Sequence, residues 1–185
     1  MTEPVVRAVL VTGAPGAGKS TVGAVLARRL SAALLDLDTA TADLTAVVAD
    51  QVGVRDLDDP RLAQLTRRAR YEAIVSVAVE NLRLGLSVVL VAPFTTERRH
   101  GAAWAALEAR LRAAGGTPSL VWLDVDAPAV AERLRRRGAD RDAWKAERAP
   151  GAVAVDLAPP DVPHLRADAA RSPGEIAEAI QQMLP

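Results

Sequence analysis

The chain has 185 residues and a mass of 19.5 kDa, room for one domain at about 150 residues per domain, and half of it is apolar, so a disordered or fibrous class is excluded. Its 23 basic and 23 acidic residues cancel, which argues against a nonspecific nucleic-acid or membrane-surface binder. Without cysteine, and with only His100 and His164, it cannot form a disulfide scaffold, a thiolate zinc site or a histidine-rich metal site.

In chain order, strand and helix patterns alternate. Val5 to Thr12 is a β-rich apolar run that ends at Gly13, and a helix from about Lys19 to Leu30 follows, with Val22, Val25, Leu26 and Leu30 on one face. Ala33 to Asp36 reads as a second strand and Thr39 to Val52 as a helix with a polar first turn. Asp58-Asp59-Pro60 is a helix-start signal. The long helix it opens runs to about Leu84, with Leu62, Leu65, Ala69, Ile74, Val77 and Val79 expected on the core face. Ser87 to Ala92 is an uninterrupted apolar strand, of the kind buried on both faces. A helix over 102–113, a strand over 119–124 and a helix over 128–137 come next. Residues 138–163 break the pattern with four prolines: Pro150, Pro159, Pro160 and Pro163. A weak strand over 164–167 and a helix over 173–184, capped by Ser172, close the chain.

Such alternation predicts a parallel sheet covered on both faces, with a site beyond the carboxyl ends of its strands. Charged residues collect at those ends: Asp36 and Asp38, Arg98 and Arg99, Asp124 and Asp126. The N-terminal Met-Thr-Glu-Pro carries an acid where a signal peptide needs positive charge, and no stretch approaches the roughly twenty apolar residues of a span. The expectation is a cytoplasmic protein.

Gly13-Ala14-Pro15-Gly16-Ala17-Gly18-Lys19-Ser20 fits G-x-x-x-x-G-K-[ST] at every fixed position, between a strand and a helix. Glycines let backbone N–H groups curl around phosphate oxygens, aided by the helix N-terminus. Lys19 then reaches the β and γ phosphates and Ser20 offers a hydroxyl to magnesium, with Thr21 next in the nucleotide-contact set. Only Lys19 and Lys145 are lysines in this arginine-rich chain, which makes a lysine at that position the more telling. A guanine-reading Asn-Lys-x-Asp motif cannot exist, because the single asparagine, Asn81, precedes Leu82. Hydrolytic motors place an acid at the end of an apolar strand. The third strand ends instead in Ala92-Pro93, and only Leu120 to Asp124 has that shape.

With the acid pair Leu35-Asp36-Leu37-Asp38 and the basic stretch Arg133 to Asp142, the chain resembles the short P-loop kinases of small molecules. Gluconate kinase, shikimate kinase, chloramphenicol phosphotransferase and the 5′ domain of polynucleotide kinase share this layout. The resemblance implies a three-layer α/β/α domain with five parallel strands in the order 2-3-1-4-5 and a helical lid over about 133–150. It implies phosphorylation of a small molecule's hydroxyl by ATP with Mg2+. Two carboxylates about 7 Å apart at a strand end would share one side of the pleat. Carried over, Asp36 serves the magnesium side and Asp38 is the candidate base, with helix capping by Asp38 as the alternative.

The resemblance further implies that lid arginines, Arg137 and Arg141 with Arg133 as the alternative, close over the phosphates. Arg98 and Arg99 would bind an acceptor carboxylate or phosphate. Of Arg67, Arg68 and Arg70 on the long helix, one or two can border the acceptor pocket, with Arg68 the candidate contact. The chain lacks gluconate kinase's acceptor residues, shikimate kinase's glycine triplet and a polynucleotide-kinase arginine after Asp38, so the acceptor stays unnamed. A nucleotide-binding regulatory ATPase is the competing reading, and it would bury or pair Asp38. The expected partners are a nucleoside triphosphate and a small acceptor, with no membrane or nucleic acid, in a monomer or homodimer.

Overall fold

Strand β1 (Arg7–Gly13) is apolar on both faces because helices cover both. The computed structural model describes residues 5–54, 59–133 and 156–185. In these, β1 is followed by α1 (Lys19–Leu30), β2 (Ala33–Asp36), α2 (Leu37–Gln51), α3 (Pro60–Arg83), β3 (Val88–Val91) and α4 (Gly101–Ala113). Then come β4 (Thr117–Asp124), helical residues 127–133 (α5), β5 (Leu165–Asp168) and α6 (Pro173–Met183). All strand pairs are parallel and the order is β2-β3-β1-β4-β5, as expected.

The two-residue period of the strands divides the core. Val9 and Val11 of β1, with Val89 and Val91 of β3, face Leu26 of α1 and Ile176 and Ile180 of α6. Ala8 and Leu10, with Val88 and Leu90, face Ile74, Ala78 and Leu82 of α3 and Trp104 and Leu111 of α4. Gly23 lets α1 lie directly on β3, since a Cβ there would stand 2.4 Å from a Val91 methyl.

Helix α3 corrects the expected core face. Leu65, Ala69 and Val77 are exposed, and the buried row is Leu62, Thr66, Ile74, Ala78 and Leu82 at intervals of four, with Arg70 half-buried in it. Such i+4 rows are the ridges that pack into neighbouring elements. Helix α2 presents a matching row of Leu37, Thr41, Thr45 and Ala49. The buried threonine hydroxyls are satisfied by the carbonyl four residues back: Thr41 by Leu37, Thr45 by Thr41 and Thr66 by Leu62. Thus a polar row here is a core row, which a count of apolar residues misses.

Helix α2 also begins earlier than expected. Asp36 is its N-cap, with Oδ1 accepting from the N–H groups of Asp38 (3.0 Å) and Thr39 (3.2 Å). The cap is therefore Asp36, not Asp38. The two acids do not share one side of a pleat, because the strand has ended and Asp38 stands in the first helical turn. No described helix is long and apolar enough to cross a membrane.

Candidate active site

The loop between β1 and α1 curls because its glycines can. Gly16 (φ +80°) and Gly18 (φ +92°) take left-handed conformations that L side chains rarely adopt. At Gly13 a Cβ would meet the Leu123 carbonyl oxygen of β4 at 3.0 Å, so the loop leaves the sheet in close contact with that strand. Lys19 folds back over the loop, its ammonium donating to the carbonyls of Gly13 (3.1 Å) and Ala14 (2.9 Å). Ala14, Gly16 and Ala17 are buried, whereas Pro15, Ser20 and Thr21 are exposed. The ammonium, the first α1 amides and an exposed hydroxyl therefore surround one concave backbone turn, a donor set for phosphate oxygens.

Behind this loop lies a groove of about 300 Å3 whose lining includes Gly18, Thr21, Arg133, Ala169, Arg171 and Pro173. Arg133 of α5 braces it, donating to Ala169 O at 2.7 Å and, at 3.3–3.4 Å, to Ala17 O and Gly16 O. Arg133, the alternative lid arginine, is thus tied to the loop backbone. Arg137, Arg141 and the expected lid beyond residue 133 lie outside the described residues, as does Asp58.

On the other side of β1, at the carboxyl edge of β2 and β3, stands the acid Asp38. Its side chain is 88% exposed and paired with Arg70 of α3 at 2.6 Å through Oδ1. Arg70 is itself fixed, because its Nε donates to Thr41 Oγ1 at 2.7 Å. The structure thereby brings Arg70 to the acid, and not Arg68. Thr66 and Ile74 lie four residues either side of Arg70, whereas Arg68 is two residues, about 200°, around the helix from Thr66 and points outward. The four-residue spacing was the available signal.

Arg98 and Arg99 also depart from expectation. Arg98 is only 4% exposed, and it donates to Asp156 and to the Ala158 carbonyl with its guanidinium 4.9 Å from the Trp122 ring centre. Arg99 pairs with Asp156 and Asp161 and donates to Pro159 O. Burial pulls the Arg98 guanidinium below the ordinary arginine range against the opposing Asp156, and the Arg99 hydrogen bond holds Asp156 below the usual carboxylate range. The pair fastens residues 156–161 to the β3–α4 loop. Asp156 is 58 positions from Arg98, beyond any local pattern. The acids after β4 are likewise engaged: Asp124 pairs with Arg166, and Asp126 caps α5 through Ala129 N–H at 2.7 Å.

Two neighbours of the site had no sequence signal. Thr12 Oγ1 donates to Pro93 O at 2.6 Å, joining the end of β1 to the loop after β3. In that loop Phe94 is fully buried at φ +42°, and its N–H donates to the Tyr71 hydroxyl at 3.0 Å. The two rings meet edge to face at 5.7 Å. Burial pushes the Tyr71 hydroxyl up to about 12 from an ordinary 10.0. The folded state therefore keeps a proton that the unfolded chain loses above pH 10, so this contribution to stability is full below that pH and is lost as pH rises toward 12. Tyr71 is the chain's single tyrosine. Ultraviolet titration of the folded protein is expected to show no phenolate at pH 10, and Tyr71→Phe should flatten the decline in melting temperature over that window.

A sequence family described as AAA domain matches residues 9–154. No curated protein matches the chain. Among solved structures, a candidate kinase from Chloroflexus aurantiacus superposes with a TM-score of 0.69 at 20% identity, covering 98% of this chain and 97% of that one. The APS kinase CysC of Mycobacterium tuberculosis, solved with AMPPNP and APS, gives 0.67 at 22% identity over 97% of both chains. Shikimate kinase from Aquifex aeolicus gives 0.54 at 16% identity, covering 95% of this chain and 94% of that one. At these identities the likeness is one of fold, and the fold is that of small-molecule P-loop kinases.

Proposed function

The chain belongs to the AAA domain family, and from that premise we propose that it is a phosphotransferase moving the terminal phosphoryl group of ATP to a hydroxyl of a small molecule. One observation carries the reading: a P-loop and an exposed, oriented carboxylate, Asp38, stand at the same edge of the sheet. Asp38 is paired with Arg70, as a regulatory ATPase would have it, yet its side chain is 88% exposed and not buried, and that exposure supports an acceptor-facing role.

In this reading the loop amides and Lys19 hold the β and γ phosphates, and the groove beside Thr21 and Arg171 takes the nucleoside. Arg70 holds Asp38 by one oxygen, leaving the other to receive the acceptor's hydroxyl proton as its oxygen attacks the γ phosphorus. The residues present fit magnesium in the manner it prefers. Among the described residues no three acidic or histidine side chains form a cage, and magnesium is ordinarily held by phosphates, water and one or two protein oxygens. Ser20 and Asp36 would supply the latter, and the metal would neutralise charge on the phosphates. Asp36 would act through water, since its Oδ1 already caps α2.

The catalytic assignments of Lys19 and Asp38, a soluble cytoplasmic setting and monomeric or dimeric assembly belong to this proposal. Incubation with ATP-Mg2+ and a panel of sugars, polyols, nucleosides, antibiotics and hydroxy acids tests it. ADP release that rises with at least one acceptor, together with the phosphorylated product by mass spectrometry, is the expected result. ADP release unchanged by every acceptor would favour the regulatory ATPase.

A further inference from the structure

The ladder of β3 onto β1 ends at the Ala92 N–H, which donates to Val11 O at 3.3 Å, and Pro93 brings no N–H of its own. The peptide that joins Pro93 to Phe94 is held instead by two side-chain hydroxyls, one at each end. Its carbonyl accepts from Thr12 Oγ1 at 2.6 Å, and its N–H donates to the Tyr71 hydroxyl at 3.0 Å. Held this way round, the peptide puts the fully buried Phe94 at φ +42°. Turning it over would return Phe94 to the negative φ that a bulky L residue prefers, so the surroundings enforce the observed orientation. Conformations enforced in this way concentrate at functional sites.

The two hydroxyls come from opposite sides of the candidate site. Thr12 is fully buried near the end of β1 and is bonded directly to Gly13, the first residue of the phosphate loop. Tyr71 lies where α3 changes partners. From Ile74 onward the helix packs on the sheet, whereas Leu62 packs with Ala49 of α2 and Arg70 bonds Thr41 of that helix. The tip made by α2 and the first half of α3 carries Asp38 and the Arg70 that holds it at 2.6 Å. Tyr71, next to Arg70 in sequence, joins that tip to the loop after β3, and its ring meets Phe94 edge to face at the same point. An unbroken line of covalent and hydrogen bonds thus runs from the phosphate loop, through one peptide, to the candidate base.

We propose that Thr12 and Tyr71 are positioning residues, their hydroxyls clamping the Pro93–Phe94 peptide so that the Arg70–Asp38 pair stands at a fixed distance from the phosphate loop. The inference rests on the phosphotransferase reading above. Neither hydroxyl touches a reactant in this role. Phosphoryl transfer is carried largely by positioning, and a displacement of about 1 Å that originates away from the chemistry can cost about 100-fold in rate. One planar peptide suits the task, because neither end can shift without turning the other.

Tyr71→Phe removes one hydroxyl and keeps the ring, and Thr12→Val removes the other at nearly constant volume. With the best acceptor from the panel, and on protein shown to be folded by its melting curve, each is expected to lower kcat about 10- to 100-fold. ATP affinity is expected to stay near wild type, since the phosphate-loop contacts are untouched. Thr12→Ser, which keeps the donor, is expected to retain most of the rate. Because both hydroxyls hold one peptide, the double variant should lose little more than the worse single one. Adding Tyr71→Phe to Asp38→Asn should cost almost nothing further, since the clamp acts through Asp38. Wild-type kcat in either single variant overturns the positioning role. So do losses that multiply in the double variant, or a full Tyr71→Phe loss in the Asp38→Asn background, as independent structural contacts would give. If one single variant fails to fold, the other decides, Thr12→Val against Thr12→Ser or Tyr71→Phe against the Asp38→Asn background. Absence of transfer by the wild type to any acceptor overturns the phosphotransferase reading, and this proposal with it.

Discussion

Replacing Lys19 by alanine is expected to abolish turnover and weaken ATP binding by roughly 100-fold or more, about 2.8 kcal/mol at 1.4 kcal/mol per decade. The side chain sits over the loop with its ammonium at the carbonyls of Gly13 and Ala14, and the P-loop reading makes it a fixed positive charge beside the β and γ phosphates. Phosphoryl transfer depends almost entirely on positioning and charge stabilisation, so a cation lost there is felt in binding and in the transition state together. The substitution also removes two donors from the loop. A melting curve must therefore accompany the binding isotherm: a folded variant with wild-type nucleotide affinity would contradict the P-loop assignment outright. Lys19→Arg should not restore turnover, because a planar fork does not reproduce a compact ammonium in a closed backbone turn.

How much of this was legible in sequence depends on the distance over which each signal acts. The P-loop is a contiguous string whose every constraint is local, and it reads directly. The strands and helices follow from periodicity, and their boundaries moved by one to a few residues; the strand order came from resemblance, since alternation alone does not contain it. What failed was non-local or polar. Helix α3 buries Thr66 and half-buries Arg70 in its packing row, and a search for apolar residues selects Leu65 and Val77 instead. The Asp36 cap was missed because two acids at a strand end look equivalent until the helix start is placed. Arg98 and Arg99 have the composition of an anion site, yet their partners Asp156 and Asp161 lie 57 to 62 positions away. Burial of Arg98 against Trp122 then decides in favour of a structural clamp.

Asp38→Asn separates binding from chemistry. Asparagine keeps the shape and an oxygen for Arg70 but loses the proton acceptor, and a positioned general base is worth about 10²- to 10⁴-fold in rate. Transfer to the acceptor should fall by that factor while ATP binds nearly as before, because the P-loop contacts are untouched. Stability should hardly change. The Asp38–Arg70 pair is largely exposed on its acidic side, and such pairs contribute at most about 1 kcal/mol. The helix cap belongs to Asp36 and survives. Asp36→Asn should differ in kind: asparagine caps about as well as aspartate, so α2 persists, and lost activity should be partly restored by higher magnesium if Asp36 works through the metal's water. Asp38→Asn at wild-type transfer rate and unchanged acceptor KM would remove that residue from the mechanism. The acids after β4 then offer no simple replacement, since Asp124 is paired with Arg166 and Asp126 caps α5. Transfer would in that case proceed by positioning and phosphate neutralisation, without a protein base.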